Sequence, residues 1–291
     1  MRDIKFVEVT GDHLAYRVTG SGIPLLCIAG GGGNGDFFLP LADQLSSNYK
    51  VITYDRRANA GSTINSPNEF SIEQQAKDAV AILDETDVDS AYILGNSSGA
   101  VIALEVLKKF PNRVKGIIVH EPPLAKTHPQ KDKWLGFFKK CYDASFKLGG
   151  PSIAATKFLF GIEVPTMQLI KAQFTAERYL KINNIEKQIK VPSKLASKYL
   201  IQQELLPVVT YEFDEDDIEK HLNKVVLAVG DYAKNNNTFL YQIVESISKT
   251  LGVTYVVVPG HHGSFMDDEE NWAKAINQII AEHFEGRSSI V

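Results

Sequence analysis

A serine lies at the centre of residues 95–99, whose sequence GNSSG matches the pattern G-x-S-x-G. An apolar run precedes the pattern and a segment of helical period follows it, so a strand turns sharply into a helix here. Such a turn needs small residues two before and two after the serine, and it presents the hydroxyl at a helix N-terminus, where developing negative charge is stabilised. We therefore predict that Ser97 is a nucleophile, because its neighbour Ser98 lacks the flanking glycines in register.

A run of glycines, residues 29–35 (AGGGGNG), directly follows another apolar run. Acyl transfer needs two backbone N–H groups that stabilise the oxyanion of a tetrahedral intermediate. We expect one from Ser98, which follows the nucleophile, and the other from this loop, at Gly31 or at its neighbour Gly30. A glycine run can also hold a phosphate, but no G-K-[ST] follows and the spacing is not G-x-G-x-x-G, so this alternative is disfavoured.

Two adjacent histidines, His261 and His262, follow the last apolar run in the stretch PGHHG, residues 259–263. A base this late in the chain fits the order serine, acid, histidine that accompanies such an elbow. Only one of the two rings can point at Ser97. Paired histidines also bind metals, but no carboxylate or cysteine lies at ligand spacing, so we expect no metal and no organic cofactor.

Short apolar runs alternate with helical patterns along most of the chain. The runs are residues 24–29, 50–54, 91–94, 116–119, 225–229 and 254–258, and helical patterns occupy about 71–83, 98–110, 239–251 and 271–284. Apolar runs that are each followed by a helix predict a parallel sheet with helices on both faces. A leading hairpin, residues 4–9 and 14–18, adds antiparallel edge strands, so we expect a mostly parallel sheet of eight strands.

The alternation breaks between residues 119 and 225, where helical patterns occur at 134–148 and 166–182 without a strand. We interpret residues 123–206 as a helical cap inserted between two parts of the core, 1–122 and 207–291. Residues 123–205 carry 14 Lys and Arg against 6 Asp and Glu, which favours anionic substrates or, more simply, reflects solvated helix faces. The large apolar side chains of this segment line a pocket or, as we favour, form the core of the cap: Trp134, Phe137, Phe138, Phe158, Phe160 and Met167.

The composition narrows the class of protein. Of the 291 residues, 44% are hydrophobic and 23% are charged, as in an ordinary globular protein. The N-terminal residues include no long apolar stretch, and no apolar run approaches the roughly 18–20 residues that cross a bilayer. We therefore expect a cytoplasmic protein without a membrane span, and the net charge of −4 argues against nucleic acid as a partner.

These motifs resemble the α/β-hydrolase superfamily over essentially the whole chain. Three stretches resemble more closely a branch that includes the fungal zearalenone lactone hydrolases and many bacterial hydrolases: residues 97–100 (SSGA), 120–123 (HEPP) and 259–262 (PGHH). In that branch the histidine falls three residues after the proline and ten before an aromatic residue. The resemblance therefore implies that His262 is the base and Trp272 the aromatic residue.

The resemblance also implies that the acid is the glutamate of the HEPP stretch, Glu121. The more usual position in the superfamily is an aspartate three residues after the glycine that ends the later strand. That position holds Ala233, which cannot serve, although Asp231 lies nearby and is a rival. Because two prolines follow Glu121, we expect an extended backbone there and a long side chain that reaches the histidine loop.

Two positions depart from the pattern of the superfamily. The residue after the arginines of the stretch YDRR, residues 54–57, is usually glycine and is Ala58 in this chain. The glycine run begins Ala29-Gly30 where His-Gly is usual. Neither departure removes a catalytic group.

The sequence thus predicts a serine hydrolase that cleaves a small carboxylic ester or lactone through an acyl-enzyme on Ser97. The same three side chains would also serve hydrolysis of a C–C bond or acyl transfer, and these alternatives remain open. A second class of alternative is a ligand-binding protein that keeps the fold without turnover, because a fold alone does not determine function.

Overall fold

A central sheet of eight strands organises the molecule. The computed structural model describes residues 3–63, 65, 70–187, 189–212 and 218–286. The strands are β1 (Lys5–Val9), β2 (Asp12–Thr19), β3 (Ile23–Ile28), β4 (Tyr49–Tyr54), β5 (Ala91–Asn96), β6 (Val114–His120), β7 (Val225–Gly230) and β8 (Tyr255–Val258). Their order is β1-β2-β4-β3-β5-β6-β7-β8. β2 pairs antiparallel with β1 and β4, and all other pairs are parallel, so the predicted mostly parallel sheet is confirmed.

Helices cover both faces of this sheet. Those of the core are α1 (Leu39–Leu45), α2 (Ile72–Glu85), α3 (Ser98–Lys109), α9 (Asp231–Asn235), α10 (Phe239–Leu251) and α11 (Glu269–Ile279). One hydrophobic core joins the sheet to α2, α3 and α10, and a second core joins the opposite face to α1 and α11. β5 and β7, which are each paired on both sides, are buried along their whole length, which explains why they appear in the sequence as continuous apolar runs.

Local signals in the sequence place the ends of several helices. Ser71 precedes α2, and its Oγ accepts a hydrogen bond from the N–H of Gln74 at 3.2 Å, which caps the N-terminus of the helix. α10 ends before Gly252, whose φ of +64° suits glycine at a helix C-terminus. The last predicted helix is divided, because α11 is followed by a short π-helix, Ile280–Phe284.

In the part of the chain that the structure describes, five α-helices with defined bounds lie between β6 and β7. They are α4 (Lys131–Ala144), α5 (Gly150–Gly161), α6 (Thr166–Ile182), α7 (Ser193–Tyr199) and α8 (Leu205–Val209), and a π-helix, Leu200–Glu204, joins the last two. We call residues 125–209 the helical insertion. Apolar residues are spread around the whole circumference of α5, with Ala154 buried and Ile153 half exposed, so no helical period marks it in the sequence. That the insertion forms a separate domain with the bounds 123–206 stays a prediction.

No single helix in the described part of the chain is long and apolar enough to cross a membrane. Helices α5 and α6 satisfy that test only as a pair bent by 112°. Among the described residues, no three His, Cys, Asp or Glu side chains are grouped so that they could hold a metal ion.

Candidate active site

The sharp turn between β5 and α3 carries Ser97 in a backbone conformation with φ of 56° and ψ of −123°. This region is costly for a residue with a side chain and is found mostly at functional sites. The flanking glycines are required sterically: a Cβ on Gly95 would lie 2.5 Å from the oxygen of Gly99, and a Cβ on Gly99 would lie 2.1 Å from the oxygen of Ile28. The N–H of Ser97 donates to the oxygen of His120 at 2.9 Å, which fixes the turn against β6.

The glycine run forms a tight loop after β3. Gly32 and Gly33 have φ values of 87° and 50°, which explains the need for glycine at these positions. The oxygen of Gly30 accepts hydrogen bonds from the N–H of Gly33 at 2.9 Å and from Nη2 of Arg56 at 2.6 Å. Gly31 lines the same cavity as Ser97, so of the two candidate glycines it is the one that faces this cavity.

The loop after β8 brings His262 to the end of β6. Nδ1 of His262 lies 2.5 Å from Oε2 of Glu121, and the other carboxylate oxygen of Glu121 accepts the N–H of Gly230 at 2.8 Å. Glu121 is 1% exposed. Its carboxylate therefore bonds both the end of β7 and the imidazole, and His262 lines the cavity that contains Ser97.

The expected extended backbone at Glu121 is wrong, because its φ is +48°. A proline follows this residue and normally favours β or polyproline conformations before it. Two contacts to β7 hold the residue in the left-handed region: its N–H donates to the oxygen of Ala228 at 3.1 Å, and its carboxylate accepts the N–H of Gly230. The reach to the histidine loop thus depends on a strained residue and not on an extended segment.

The environment of Glu121 favours its charged form. Burial alone raises the pKa of a carboxyl group, but the neighbouring His120, the hydrogen bond with His262 and the N–H of Gly230 outweigh burial, and the pKa of Glu121 lies well below its usual range. The carboxylate is therefore ionised at neutral pH and can stabilise an imidazolium on His262.

His120 lies next to both Glu121 and His262, and the sequence predicted no role for it. It is fully buried, and burial lowers its pKa to about 4, so the ring is neutral at pH 7. Nδ2 of Asn96 donates to Nδ1 of His120 at 2.9 Å, which places the ring proton on Nε2, 3.7 Å from Oε1 of Glu121. The same amide of Asn96 donates to the oxygen of His262 at 3.1 Å and so links the elbow to the histidine loop.

The two rival residues lie elsewhere. The ring of His261 accepts the N–H of Gly263 at Nδ1, and its Nε2 faces Asp267 at 3.5 Å. Asp231 is exposed at the start of α9. The structure thus brings Glu121 and His262 together, and it places His261 and Asp231 apart from that contact.

Trp272 packs against the loop that carries His262. Its ring is fully buried on α11, and Nε1 donates to the oxygen of Pro259 at 3.0 Å. The ring packs edge-on against His120 with centroids 4.9 Å apart. Trp272 therefore fixes the position of Pro259, the first residue of the loop, and packs against one side of the buried ring of His120.

A cavity of about 240 Å³ separates the sheet from the helical insertion. Ser97, Ser98, His262 and Gly31 line it on the side of the sheet, and most of its apolar lining comes from α5, α8 and the π-helix between α7 and α8. Of the large apolar side chains considered in the sequence, Trp134 and Phe138 are buried in the hydrophobic core and Phe158 lines the cavity. Phe160 and Met167 are each 62% exposed, so they form neither the core nor the cavity wall.

An ion pair that the sequence did not reveal lies beside the glycine loop. Arg56 is fully buried, and its Nη2 lies 2.8 Å from Oε1 of Glu204, the last residue of the π-helix. The same nitrogen contacts the oxygen of Gly30 and, at 3.3 Å, Oγ of Ser98. Ala58, where glycine is usual, adopts a φ of 67° in the loop that carries Arg56, so the backbone keeps the conformation that glycine favours there.

Comparison with known proteins identifies the sheet and its covering helices as the α/β-hydrolase fold. A family model for the α/β-hydrolase fold matches residues 23–147. The chain is 25% identical over 284 residues to the uncharacterised hydrolase YraK of Bacillus subtilis, covering 94% of each chain. It superposes on an esterase from Thermogutta terrifontis with a TM-score of 0.70 at 18% identity, covering 96% of this chain and 99% of that one. An enol-lactonase from Burkholderia xenovorans gives a TM-score of 0.65 at 14% identity, covering 95% and 99%.

The family model ends within the helical insertion, whereas the structural similarity extends over nearly the whole chain. The closer branch that the sequence suggested stays a prediction. The resemblance to the superfamily is confirmed, and the comparisons show the α/β-hydrolase fold.

Proposed function

We propose that the protein is a serine hydrolase that cleaves a carboxylic ester or lactone through an acyl-enzyme on Ser97. The observation that carries this proposal is the contact between Nδ1 of His262 and the buried carboxylate of Glu121, in a site where Ser97 and His262 line one cavity. A nucleophile, a base and an acid that orients the base are the parts that acyl transfer needs.

In the first step Ser97 attacks the carbonyl carbon while Nε2 of His262 accepts the proton of the serine hydroxyl. Glu121 holds the proton on Nδ1, which leaves Nε2 free as the base, and its charge stabilises the imidazolium that forms. Within the described residues the hydroxyl of Ser97 makes no hydrogen bond. Contacts between a nucleophile and its base are often long without substrate and shorten in the complex.

The negative charge of the tetrahedral intermediate develops on the carbonyl oxygen. We assign its stabilisation to the backbone N–H groups of Gly31 and Ser98, since both residues line the cavity together with Ser97. Gly30 fits this role less well, because it is not among the described residues that line the cavity. His262 then donates its proton to the leaving alcohol and activates the water that releases the acyl group.

The cavity indicates the class of substrate. Its volume of about 240 Å³ and its largely apolar wall suit a small, uncharged acyl group or a lactone ring. Because the nucleophile position holds serine, and not aspartate, the proposal disfavours dehalogenation and epoxide opening.

Labelling with a fluorophosphonate tests the nucleophile without knowledge of the substrate. The wild-type protein should be labelled at Ser97, and Ser97→Ala should abolish labelling and lower ester turnover by a factor on the order of 10⁶. Ser152→Ala, which changes an exposed serine of α5, is the matched control and should behave as the wild type.

A panel of chromogenic esters of increasing acyl length, together with several lactones, then defines the substrate. Turnover by Ser97→Ala within about tenfold of the wild type would contradict the acyl-enzyme. A folded protein that neither reacts with the probe nor hydrolyses any ester or lactone would favour the ligand-binding alternative.

A further inference from the structure

Glu204 places a carboxylate in the wall of an otherwise largely apolar cavity. It lines this cavity together with Ser97 and His262, and it is 1% exposed. Among the described residues that line the cavity, it is the only one with an acidic side chain. A buried carboxylate is costly unless each oxygen finds a hydrogen-bond donor.

Among the described residues, one oxygen of this carboxylate has a hydrogen-bond partner and the other has none. Oε1 accepts from Nη2 of Arg56 at 2.8 Å, whereas Oε2 has no hydrogen-bond partner among the described residues. The free oxygen belongs to a residue that lines the substrate cavity, so a donor on a bound molecule would satisfy it. The ion pair with Arg56 already balances the charge, which favours a neutral donor over a cation.

Arg56 also fixes where the carboxylate of Glu204 lies relative to Ser98. Its Nη2 contacts Glu204, the oxygen of Gly30 and Oγ of Ser98 simultaneously. The carboxylate therefore lies within two hydrogen-bond lengths of the residue that follows the nucleophile. Glu204 also ends a π-helix, a rare element that is frequent at functional sites because it redirects a side chain.

We propose that Glu204 forms a polar subsite that accepts a hydrogen bond from a hydroxyl group on the α or β carbon of the acyl part of the substrate. This inference rests on the proposed function and narrows its substrate class to hydroxy-acyl esters and hydroxy-lactones. A site built to bond a hydroxyl discriminates strongly against the analogue that lacks it, because the polar group of the protein is then left unpaired.

Matched esters test the subsite by binding, independently of turnover. Methyl butyrate, methyl β-hydroxybutyrate and methyl β-methoxybutyrate, with the corresponding α-substituted series, are titrated calorimetrically into Ser97→Ala protein. In at least one series the hydroxy ester should bind about tenfold or more tightly than both analogues, since a hydrogen bond to a charged group is stronger than a neutral one. The methoxy ester separates donation from size and polarity, because it cannot donate.

Glu204→Gln reverses the polarity of the subsite in a defined way. The amide oxygen must face Arg56, which only donates, so the amide NH₂ faces the cavity and offers a donor in place of an acceptor. This variant should lose the preference for hydroxy over methoxy esters. Glu177→Gln, an exposed glutamate of α6, is the control and should keep it.

The outcomes separate the subsite from the proposed function. Equal binding of the three esters in both series would overturn the subsite, even if the wild-type enzyme hydrolyses all of them. A clear preference in Ser97→Ala protein without turnover by the wild type would support the subsite and contradict the hydrolase. If Glu204→Gln does not fold, the methoxy comparison in Ser97→Ala protein still decides the question.

Discussion

The carboxyl end of the sheet and the helical insertion contribute different things to the same cavity. Ser97 and Glu121 directly follow β5 and β6, and backbone hydrogen bonds to neighbouring strands fix both, whereas His262 lies in the loop after β8. The insertion supplies the apolar wall and Glu204 from short helices whose outer faces expose large apolar side chains. In our proposals the sheet holds the reacting groups and the insertion selects the substrate. Substitutions in the two regions should therefore have different signatures.

The base provides the largest expected effect on the sheet side. His262→Ala should lower ester turnover by a factor of about 10⁵ to 10⁶, because removing the base costs nearly as much as removing the nucleophile. His261→Ala should keep a substantial share of activity, since its ring faces Asp267 and Gly263. Steady-state kinetics of both variants checks this, and the reverse ranking would mean that the neighbouring histidine is the base.

The acid gives the next effect. Glu121→Gln should lower turnover by a factor of about 10³ to 10⁴, because the amide no longer fixes the tautomer of His262 or stabilises its cation. Asp231→Asn should cost less than about tenfold, since Asp231 is exposed on α9. If the losses of the two variants were exchanged, Asp231 would be the acid and the contact seen at Glu121 would serve only the fold.

The buried His120 makes the sheet side sensitive to acid. Its pKa is about 4 in the folded protein and about 6.5 in an unfolded chain, so the unfolded state binds the proton first as the pH falls. The stability that the neutral ring contributes is complete above pH 6.5 and is lost progressively down to pH 4. When the pH falls from 7 to 4.5, the free energy of unfolding of the wild type should decrease by on the order of 1–3 kcal/mol more than that of His120→Gln. Urea unfolding at both pH values measures this, and equal losses would contradict it.

The smallest expected effect is a difference in the rate of amide hydrogen exchange between the insertion and the sheet. Its helices are partly exposed, whereas β5 and β7 are buried throughout. We expect its amides to exchange about tenfold or more faster than those of the strands, and a covalent inhibitor on Ser97 should slow them. Hydrogen exchange read by mass spectrometry tests this. Uniform protection that an inhibitor leaves unchanged would argue against a separate, mobile cap.

The sequence predicted the sheet well because its signals are local. Each buried parallel strand forms one apolar run, and the elbow at Ser97 requires glycines at fixed offsets. The residues alone left His261 and His262 open as the base, and resemblance to the branch selected His262 and suggested Glu121. The structure brings these side chains together, although their catalytic roles stay predictions.

The features that the sequence did not reveal depend on tertiary contacts. Arg56 and Glu204 are 148 residues apart, and neither belongs to a pattern that marks a buried pair. The left-handed conformation of Glu121 opposes the preference imposed by the following proline, because contacts to β7 outweigh it. The sequence did not predict α5, because the apolar residues of this helix lack a helical period.

The two ends of the insertion are attached to the sheet in unequal ways. Its first residues follow Glu121 after only a few positions, whereas its last helix ends at Val209, well before β7 begins at Val225. A chimera that exchanges this segment with that of a relative would therefore tolerate a junction on the side of Val209, away from the strand end. On the entry side, a junction placed before Pro122 would alter the strained residue that we propose as the acid. Exchange of the helical insertion between relatives is thus constrained at its first junction with the sheet and tolerated at its second.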